Sequence, residues 1–310
     1  MRQTPDDPVL RSDPMSASYP AAIVAAVADL PPAVAAALQR ADPTDETRST
    51  TIAAGIPFSS LVWGDPADRP LVLIHGITAS ARIWWRVGLA LAATGRRVVA
   101  VDQAGHGLTG HWQGHPLFRD NARDLAAWVR AAGLDVPEVQ IVGHSWGGVT
   151  AAALPVNGIR PATLVLLDPP AIPFALISSM VDDPSEQPYP DLATNRDRLT
   201  AQNPDWSAED VRAKAEGLTQ ADIEAARGVL LENGDWDGGL ADLSDPAADG
   251  IPTWLIRGDP TAGGLVPDAV LPDFAARIGA DHILTLAGAP HGPQRTHPVA
   301  TTGALLRALG

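Results

Sequence analysis

Cysteine is absent from all 310 residues. Without thiols there is no disulfide framework, no thiolate nucleophile and no zinc ribbon, so the fold has to be held by packing. Lysine is almost missing too: Lys214 stands alone among 22 basic residues, and no basic run occurs. Against 36 acidic residues this leaves a formal charge of −14. Nucleic acid and anionic membrane both demand a basic face, so neither is expected as a partner. Long apolar runs are lacking as well. The alanine-rich stretch from Ala21 to Leu38 is broken by Asp29, Pro31 and Pro32. It reads as two short helices, the second opening on the proline pair, rather than a membrane span. The opening "MRQTPDDPVLRSDP" carries acids and prolines where a secretory signal needs a basic start and an apolar stretch. A cytoplasmic protein is expected, with Met15 as an alternative start. Residues 1–50 read as a partly helical N-terminal extension, with the first dozen or so residues disordered.

What is present is a rhythm. "TIAAGI" and "FSSLVWG" read as a strand pair around Pro57, followed by "PLVLIHG", "RRVVAVD", "VQIVGHS", "ATLVLLD", "PTWLIRGD" and "HILTLAG". Each is a short run of valine, isoleucine and leucine ending in Gly, Asp, His or Ser. Runs apolar on both faces, spaced by helix-length segments such as "NARDLAAWVRAAGL", are what a parallel sheet covered on both sides requires. The fold class is therefore α/β, a mostly parallel eight-stranded sheet flanked by helices. Functional groups on such sheets gather beyond the carboxyl ends of the strands.

The rhythm breaks once. Between Asp168 and Ile251 no comparable strand occurs, but Ser207 with Asp210 and Thr219 with Asp222 signal helix starts. Residues 171–250 carry 17 acidic and 5 basic side chains, a net of −12, which leaves about −2 for everything else. The expected organisation is a core of residues 51–169 and 251–310, with a helical cap of residues 170–250 inserted after strand 6.

In "IVGHSWGGV" the small residues Gly143 and Gly147 let a strand reverse sharply into a helix. This forces Ser145 into a strained backbone state, its hydroxyl above the sheet, at a helix N-terminus that favours developing negative charge. Five motifs then stand in order: "HGITAS" at 75–80, "DQAGHG" at 102–107, "GHSWGG" at 143–148, "RGDP" at 257–260 and "GAPHG" at 288–292. Through them, residues 51–310 resemble the α/β-hydrolase family, which also places serine, acid and histidine in this chain order.

The resemblance implies a serine hydrolase. A serine hydroxyl is a poor nucleophile at neutral pH and needs an imidazole, which in turn needs a carboxylate to hold its tautomer. Ser145 is the nucleophile and His291, on a loop of Gly, Ala and Pro where histidine has no packing role, is the base. Of the other histidines, His75 and His144 read as local structural bonds inside glycine turns; His106, His111, His115, His282 and His297 fall in turns, loops or element starts. The family most often keeps its acid where Asp259 stands, although here the acid follows Gly258 directly. Asp168 is the competitor, one strand earlier, with a turn cap beside Pro169 and Pro170 as its plainer reading. Asp102 reads as a brace for its turn. By resemblance the oxyanion donors are the backbones of Ile77 and Trp146. Trp84, Trp85, Trp146, Trp206 and Trp236 could wall a ligand site or simply fill the core.

Relatives that open epoxides or displace halide carry an aspartate at the elbow, where this chain has Ser145. No metal motif, phosphate loop or dinucleotide fingerprint occurs, so no cofactor and no metal are expected. The expected activity is an acyl-enzyme on Ser145 cleared by water that His291 activates. Carboxylic ester hydrolysis is expected because it asks least of the site; an acidic cap should repel anions and favour neutral or cationic substrates, and esters of neutral, apolar small molecules are the expected class. Lactone, amide or carbon–carbon bond hydrolysis with the same triad, or a receptor-like ligand-binding role, remain alternatives. The partner is a small-molecule substrate, and homo-oligomerisation is left open.

Overall fold

A computed structural model describes residues 22–23, 30–42, 46–112, 114, 116–181 and 191–310. Its strands are β1 (Ala22–Ile23), β2 (Thr47–Ala53), β3 (Ile56–Trp63), β4 (Arg69–Ile74), β5 (Arg96–Val101), β6 (Gln140–His144) and β7 (Thr163–Leu167), then β8 (Ala171–Ile172), β9 (Trp236–Asp237), β10 (Thr253–Gly258) and β11 (Ile283–Leu286). Nine of them form one sheet in the order β1-β11-β10-β7-β6-β4-β5-β3-β2, and β8 pairs with β9 apart from it. Only β3 runs against its neighbours in the main sheet. The eight expected strands are all there, and two-residue β1 adds a ninth beside β11. That pairing falls within the stretch read as the first of two short helices; residues 24–29 and 1–21, with the expected disorder and start, lie outside the described residues.

The alternation of side chains explains the unbroken apolar runs. Along β4, Leu71 and Leu73 enter one buried cluster while Val72 and Ile74 enter the other, on the opposite face. Along β7, Val165 and Leu167 belong to the first and Leu164 and Leu166 to the second. A strand so placed has no solvent face and therefore no polar alternation. Helix α1 (Pro32–Arg40) lies against α2 (Trp85–Ala92), burying Val34 and Ala37 beside Ala90. The other face is covered by α3 (Phe118–Ala131) and α4 (Trp146–Ala152), with Trp128 fully buried. The hairpin between β2 and β3 turns at Ala54 and Gly55, both with positive φ, so Pro57 lies inside β3 opposite Ile52 instead of in the turn.

Between β7 and β10 come α5 (Phe174–Met180), α6 (Leu192–Gln202), α7 (Ala208–Gln220), α8 (Ile223–Glu232) and α9 (Leu240–Leu243). Ser207 caps α7, accepting from Asp210 N at 3.2 Å as its sequence signal predicts. The next helix is capped by Asp222 itself, through Ala225 N at 3.2 Å, and Thr219 instead lies inside α7 with its hydroxyl donating to Ala215 O. After β10 the chain adds α10 (Leu271–Ile278), and after β11 it adds α11 (Pro293–Thr296) and α12 (Pro298–Leu309), which packs on α2. No described helix is long and apolar enough to cross a membrane.

Candidate active site

The turn from β6 into α4 is sterically closed to anything but glycine on both sides of Ser145. A Cβ on Gly143 would stand 2.1 Å from the carbonyl oxygen of Gly147, and one on Gly147 would stand 2.4 Å from that of His75. Ser145 takes up the resulting strain at φ 57°, ψ −129°. Such a backbone state costs on the order of 1–3 kcal/mol and persists only where surrounding structure enforces it. Here the Ser145 N–H donates to Leu167 O at 2.9 Å, and its carbonyl accepts Gly148 N–H at 2.7 Å, opening α4.

The register of the sheet then decides what faces the serine. His144 of β6 is paired with Leu167 of β7, so Ser145 and Asp168 leave adjacent strands side by side. His291 comes from the loop after β11 and closes the set: its Nε2 is 2.8 Å from Ser145 Oγ, and its Nδ1 is 2.6 Å from Asp168 Oδ2. An ionised carboxylate only accepts, so Nδ1 carries the proton and the Nε2 lone pair faces the hydroxyl. Asp168 is fully buried and its carboxylate is held at both oxygens, with Gly258 N at 2.9 Å from Oδ1 and Leu265 N at 3.0 Å from Oδ2. A carboxylate so bound cannot swing away from the imidazole.

The expectation that Asp259 holds the imidazole is therefore corrected. Asp259 lies beyond β10, one strand further from β6, and its carboxylate turns to its own backbone: Thr261 N and Oγ1 at 2.9 and 2.7 Å from Oδ1. Its Oδ2 accepts Gly288 N at 2.9 Å, and its own N–H donates to Ala289 O at 2.7 Å. The Gly288 N–H, first among these donors, holds its pKa below the ordinary aspartate value. Asp259 thus ties down the loop that carries His291 without touching the ring. Asp102 is the brace the sequence suggests, accepting Ala81 N at 2.7 Å and Leu108 N at 3.1 Å, with Arg48 at 3.2 Å.

Of the two expected oxyanion donors, Trp146 is the first residue of α4, where helix geometry leaves N–H groups without a partner in their own helix. Ile77 lines the cavity above the serine, and a Cβ on the preceding Gly76 would stand 2.8 Å from Ser145 Cβ, so that loop abuts Ser145. The cavity measures about 450 Å³. Its wall is mostly apolar, with Ile172, Ile177, Leu199 and Leu230 supplied by the segment between β7 and β10. Trp206 and Trp236 line it, whereas Trp84, Trp85 and Trp146 are core, Trp146 packing with Trp112 at 5.7 Å.

The acidic segment spends its charge on docking. Asp210 accepts Trp85 Nε1 at 3.0 Å and pairs with Arg86 at 3.2 Å, Glu216 meets Arg82 at 2.9 Å, and Asp242 meets Arg119 at 2.8 Å. Asp222 meets His111 at 2.8 Å, while His115 lies outside the described residues. Among the described residues no carboxylate lines the cavity, although Lys214 and Arg295 do. The anion repulsion expected from composition is therefore not built from described residues of the wall.

Three motif histidines are buried and neutral. His75 donates from Nδ1 to Gly76 O at 2.7 Å and accepts Gln103 N–H on Nε2 at 3.0 Å, joining the "HG" loop to the "DQAG" loop. Burial lowers its pKa to about 4 and that of His106 to about 3, and drives that of His144 well below 6.5. A histidine whose folded pKa lies below its unfolded one binds fewer protons in the native state, so its stability contribution is complete above pH 6.5 and declines as pH falls towards the folded value. Global stability, read as urea midpoints, should therefore fall between pH 7 and about 5.5 by on the order of 1 kcal/mol per pH unit for each of the three. Glu46, Asp124 and Asp242, whose pKa values burial raises, act in the opposite sense. A midpoint independent of pH across that window would refute this reading.

A serine on a strained elbow, an imidazole bonded to its hydroxyl and a buried carboxylate behind the imidazole form a hydrolase-type constellation. The model of the alpha/beta hydrolase family matches residues 71–304. The chain belongs to that family. Lipase LipV of Mycobacterium tuberculosis is 29% identical over 267 residues, covering 80% of this chain and 96% of that protein. Esterase PIR7B of Oryza sativa subsp. japonica is 35% identical over 93 residues, 28% of this chain and 32% of the relative. The 2-hydroxymuconate semialdehyde hydrolase of a Pseudomonas species is 32% identical over 132 residues, 42% of this chain and 46% of the relative. Two of these three are thus matched over less than half of their own length. Among solved structures, E-2-(acetamidomethylene)succinate hydrolase superposes with a TM-score of 0.71 at 20% identity, covering 85% of this chain and 99% of that one. The chain is a hydrolase of the α/β family, with esterases and lipases among its relatives.

Proposed function

We propose that this protein is a serine hydrolase acting on carboxylic esters of apolar small molecules, with residues 170–250 serving as the cap. The observation that carries the reading is the continuous chain from Ser145 Oγ to His291 Nε2 at 2.8 Å and from His291 Nδ1 to Asp168 at 2.6 Å, at the floor of a largely apolar cavity of about 450 Å³. Names among its relatives that read lipase and esterase support the ester assignment.

In this mechanism His291 Nε2 takes the hydroxyl proton as Ser145 Oγ forms a bond to the ester carbonyl carbon. The carbonyl oxygen gains the negative charge and is received by the N–H groups of Ile77 and Trp146; losing one such donor costs about 3–4 kcal/mol of barrier in comparable sites. The imidazolium, stabilised by Asp168, then gives its proton to the departing alkoxide, leaving an acyl-enzyme and a free alcohol. Water enters, His291 accepts its proton, the hydroxide oxygen bonds to the acyl carbon, and the proton returns to Ser145 as the carboxylic acid leaves. The strain at Ser145 keeps Oγ projecting into the cavity, where no rotation of the backbone has to accompany attack.

The test is a fluorophosphonate probe followed by peptide mapping, together with steady-state turnover of p-nitrophenyl esters from acetate to octanoate. Labelling at Ser145 with many turnovers per enzyme supports the assignment. Labelling with a single slow turnover would point to a ligand receptor, and no labelling at Ser145 would remove the serine mechanism.

A further inference from the structure

His144 directly precedes Ser145 in the chain, yet its ring reaches across to the loop of the base. Its Nε2 lies 2.7 Å from the main-chain oxygen of His291, and its Nδ1 lies 3.3 Å from Nε2 of Gln294. A carbonyl oxygen only accepts, so Nε2 bears the hydrogen, and the Nδ1 lone pair is then free to receive the amide N–H of Gln294. One neutral tautomer satisfies both contacts. His144 is 7% exposed and Gln294 2%. The Trp84 ring stands edge-on to the imidazole at 6.4 Å. Bonds in so dry a place cannot be traded for water at low cost.

We propose that His144 is a positioning residue for the base, fixing the main chain of His291 from the residue next to the nucleophile, so that hydroxyl and imidazole are set by one rigid unit. The proposal rests on the serine-hydrolase reading given above. The need for it follows from the loop. The "GAPHG" segment has no regular structure of its own, and the bond from His291 Nδ1 to Asp168 sets one distance while leaving the ring free to pivot about it. Asp259 secures the near end at Gly288 and Ala289, and His144 secures the far end at His291 and Gln294. The neutral state of His144 also suits its place. The two imidazole rings are 5.0 Å apart, and His291 must become a cation during turnover. Burial, and secondarily the nearness of His291, hold the His144 pKa far down, so the two rings do not compete for a proton.

The experiment uses the whole chain and the fluorophosphonate probe, separating the maximal phosphonylation rate, kinact, from the probe's binding constant, KI. His144→Met fills similar volume without an N–H donor, while His144→Gln keeps a donor near the position of Nε2. A displacement of about an ångström at the reacting atoms is worth up to about 100-fold in rate. For His144→Met kinact should fall about 30-fold with KI within about twofold, and for His144→Gln most of that loss should be recovered. Equal kinact for the two variants would reduce His144 to a space filler and overturn the proposal, as would a loss carried by KI. If His144→Met does not fold, Gln294→Met probes the same clamp from its other end, with about a fivefold fall in kinact expected and no change overturning the proposal. Labelling of the wild-type chain is read first. Failure there sinks the serine reading and this inference together, whereas labelled wild type with an unimpaired His144→Met sinks this inference alone.

Discussion

Asp168→Asn should lower kcat for p-nitrophenyl ester hydrolysis by about 10³- to 10⁴-fold at pH 7, while Asp259→Asn should cost less than about tenfold. The reason lies in the donors that meet at Asp168. Gly258 N–H approaches Oδ1, and Leu265 N–H and His291 Nδ1 approach Oδ2. A carboxamide has one acceptor oxygen. Turned towards His291, it sets its NH₂ against Gly258 N–H and gives the imidazolium no countercharge. Turned the other way, it presents its NH₂ to Nδ1, which then has to be the unprotonated nitrogen, and Nε2 carries a hydrogen where a base needs a lone pair. Either orientation also leaves a buried donor facing a donor, so thermal stability should drop with a ΔΔG of about 1–3 kcal/mol. At Asp259 the carboxylate lies outside the reacting line and Asn still offers one acceptor to Thr261 or Gly288, so only the placement of the loop is loosened. Rates for the two purified variants, normalised by active-site titration, decide between the two carboxylates. If Asp259→Asn proves the more damaging, the geometry around His291 is not the one used in turnover.

That competition shows where reading the chain succeeds and where it stops. Leu71 to Ile74 and Thr163 to Leu167 announce themselves as buried parallel strands because no residue in them has to meet water. Gly143 and Gly147 likewise announce the elbow, because each stands where a Cβ would lie within 2.4 Å of backbone oxygen. These are local demands, and residue type is enough to meet them. The choice between Asp168 and Asp259 is not local. It depends on the register that pairs His144 with Leu167, which puts Asp168 rather than Asp259 beside Ser145. Nothing within either strand records that pairing. The bonds of His144 are hidden for the same reason: its partners, His291 and Gln294, are about 150 residues away along the chain. The charge of the segment between β7 and β10 is a different matter. Composition counts carboxylates without saying which ones are committed, and Asp210, Glu216, Asp222 and Asp242 are occupied by cations or a histidine of the core. Asp191, Asp222 and Asp245 also cap helical turns. A net charge of −12 on the segment is therefore a statement about how it docks as much as about what it admits.

The second large effect is a failure of additivity. Ser145→Ala and His291→Ala should each lower kcat by about 10⁶-fold, and the double variant should lie within a fewfold of either single one. If the two side chains acted separately, their losses would multiply to about 10¹², far below any measurable rate; acting as one unit, they share a single loss. The 2.8 Å contact from Oγ to Nε2 is the physical basis of that sharing. With the hydroxyl gone, the imidazole has no proton to remove on the path to an acyl-enzyme; with the imidazole gone, the hydroxyl keeps its proton and is scarcely more reactive than water. The residual rate common to all three variants should still exceed the uncatalysed one by about 10³- to 10⁴-fold, because the N–H groups of Ile77 and Trp146 and the apolar cavity remain to bind the ester and receive charge. The measurement needs enzyme above ester concentration and a His-tag-free preparation, so that traces of wild type or surface histidines do not set the floor. A double variant slower than both singles by 100-fold or more would mean that Ser145 and His291 serve different steps, and the hydrogen bond between them would then be a feature of the resting protein with no part in acyl transfer.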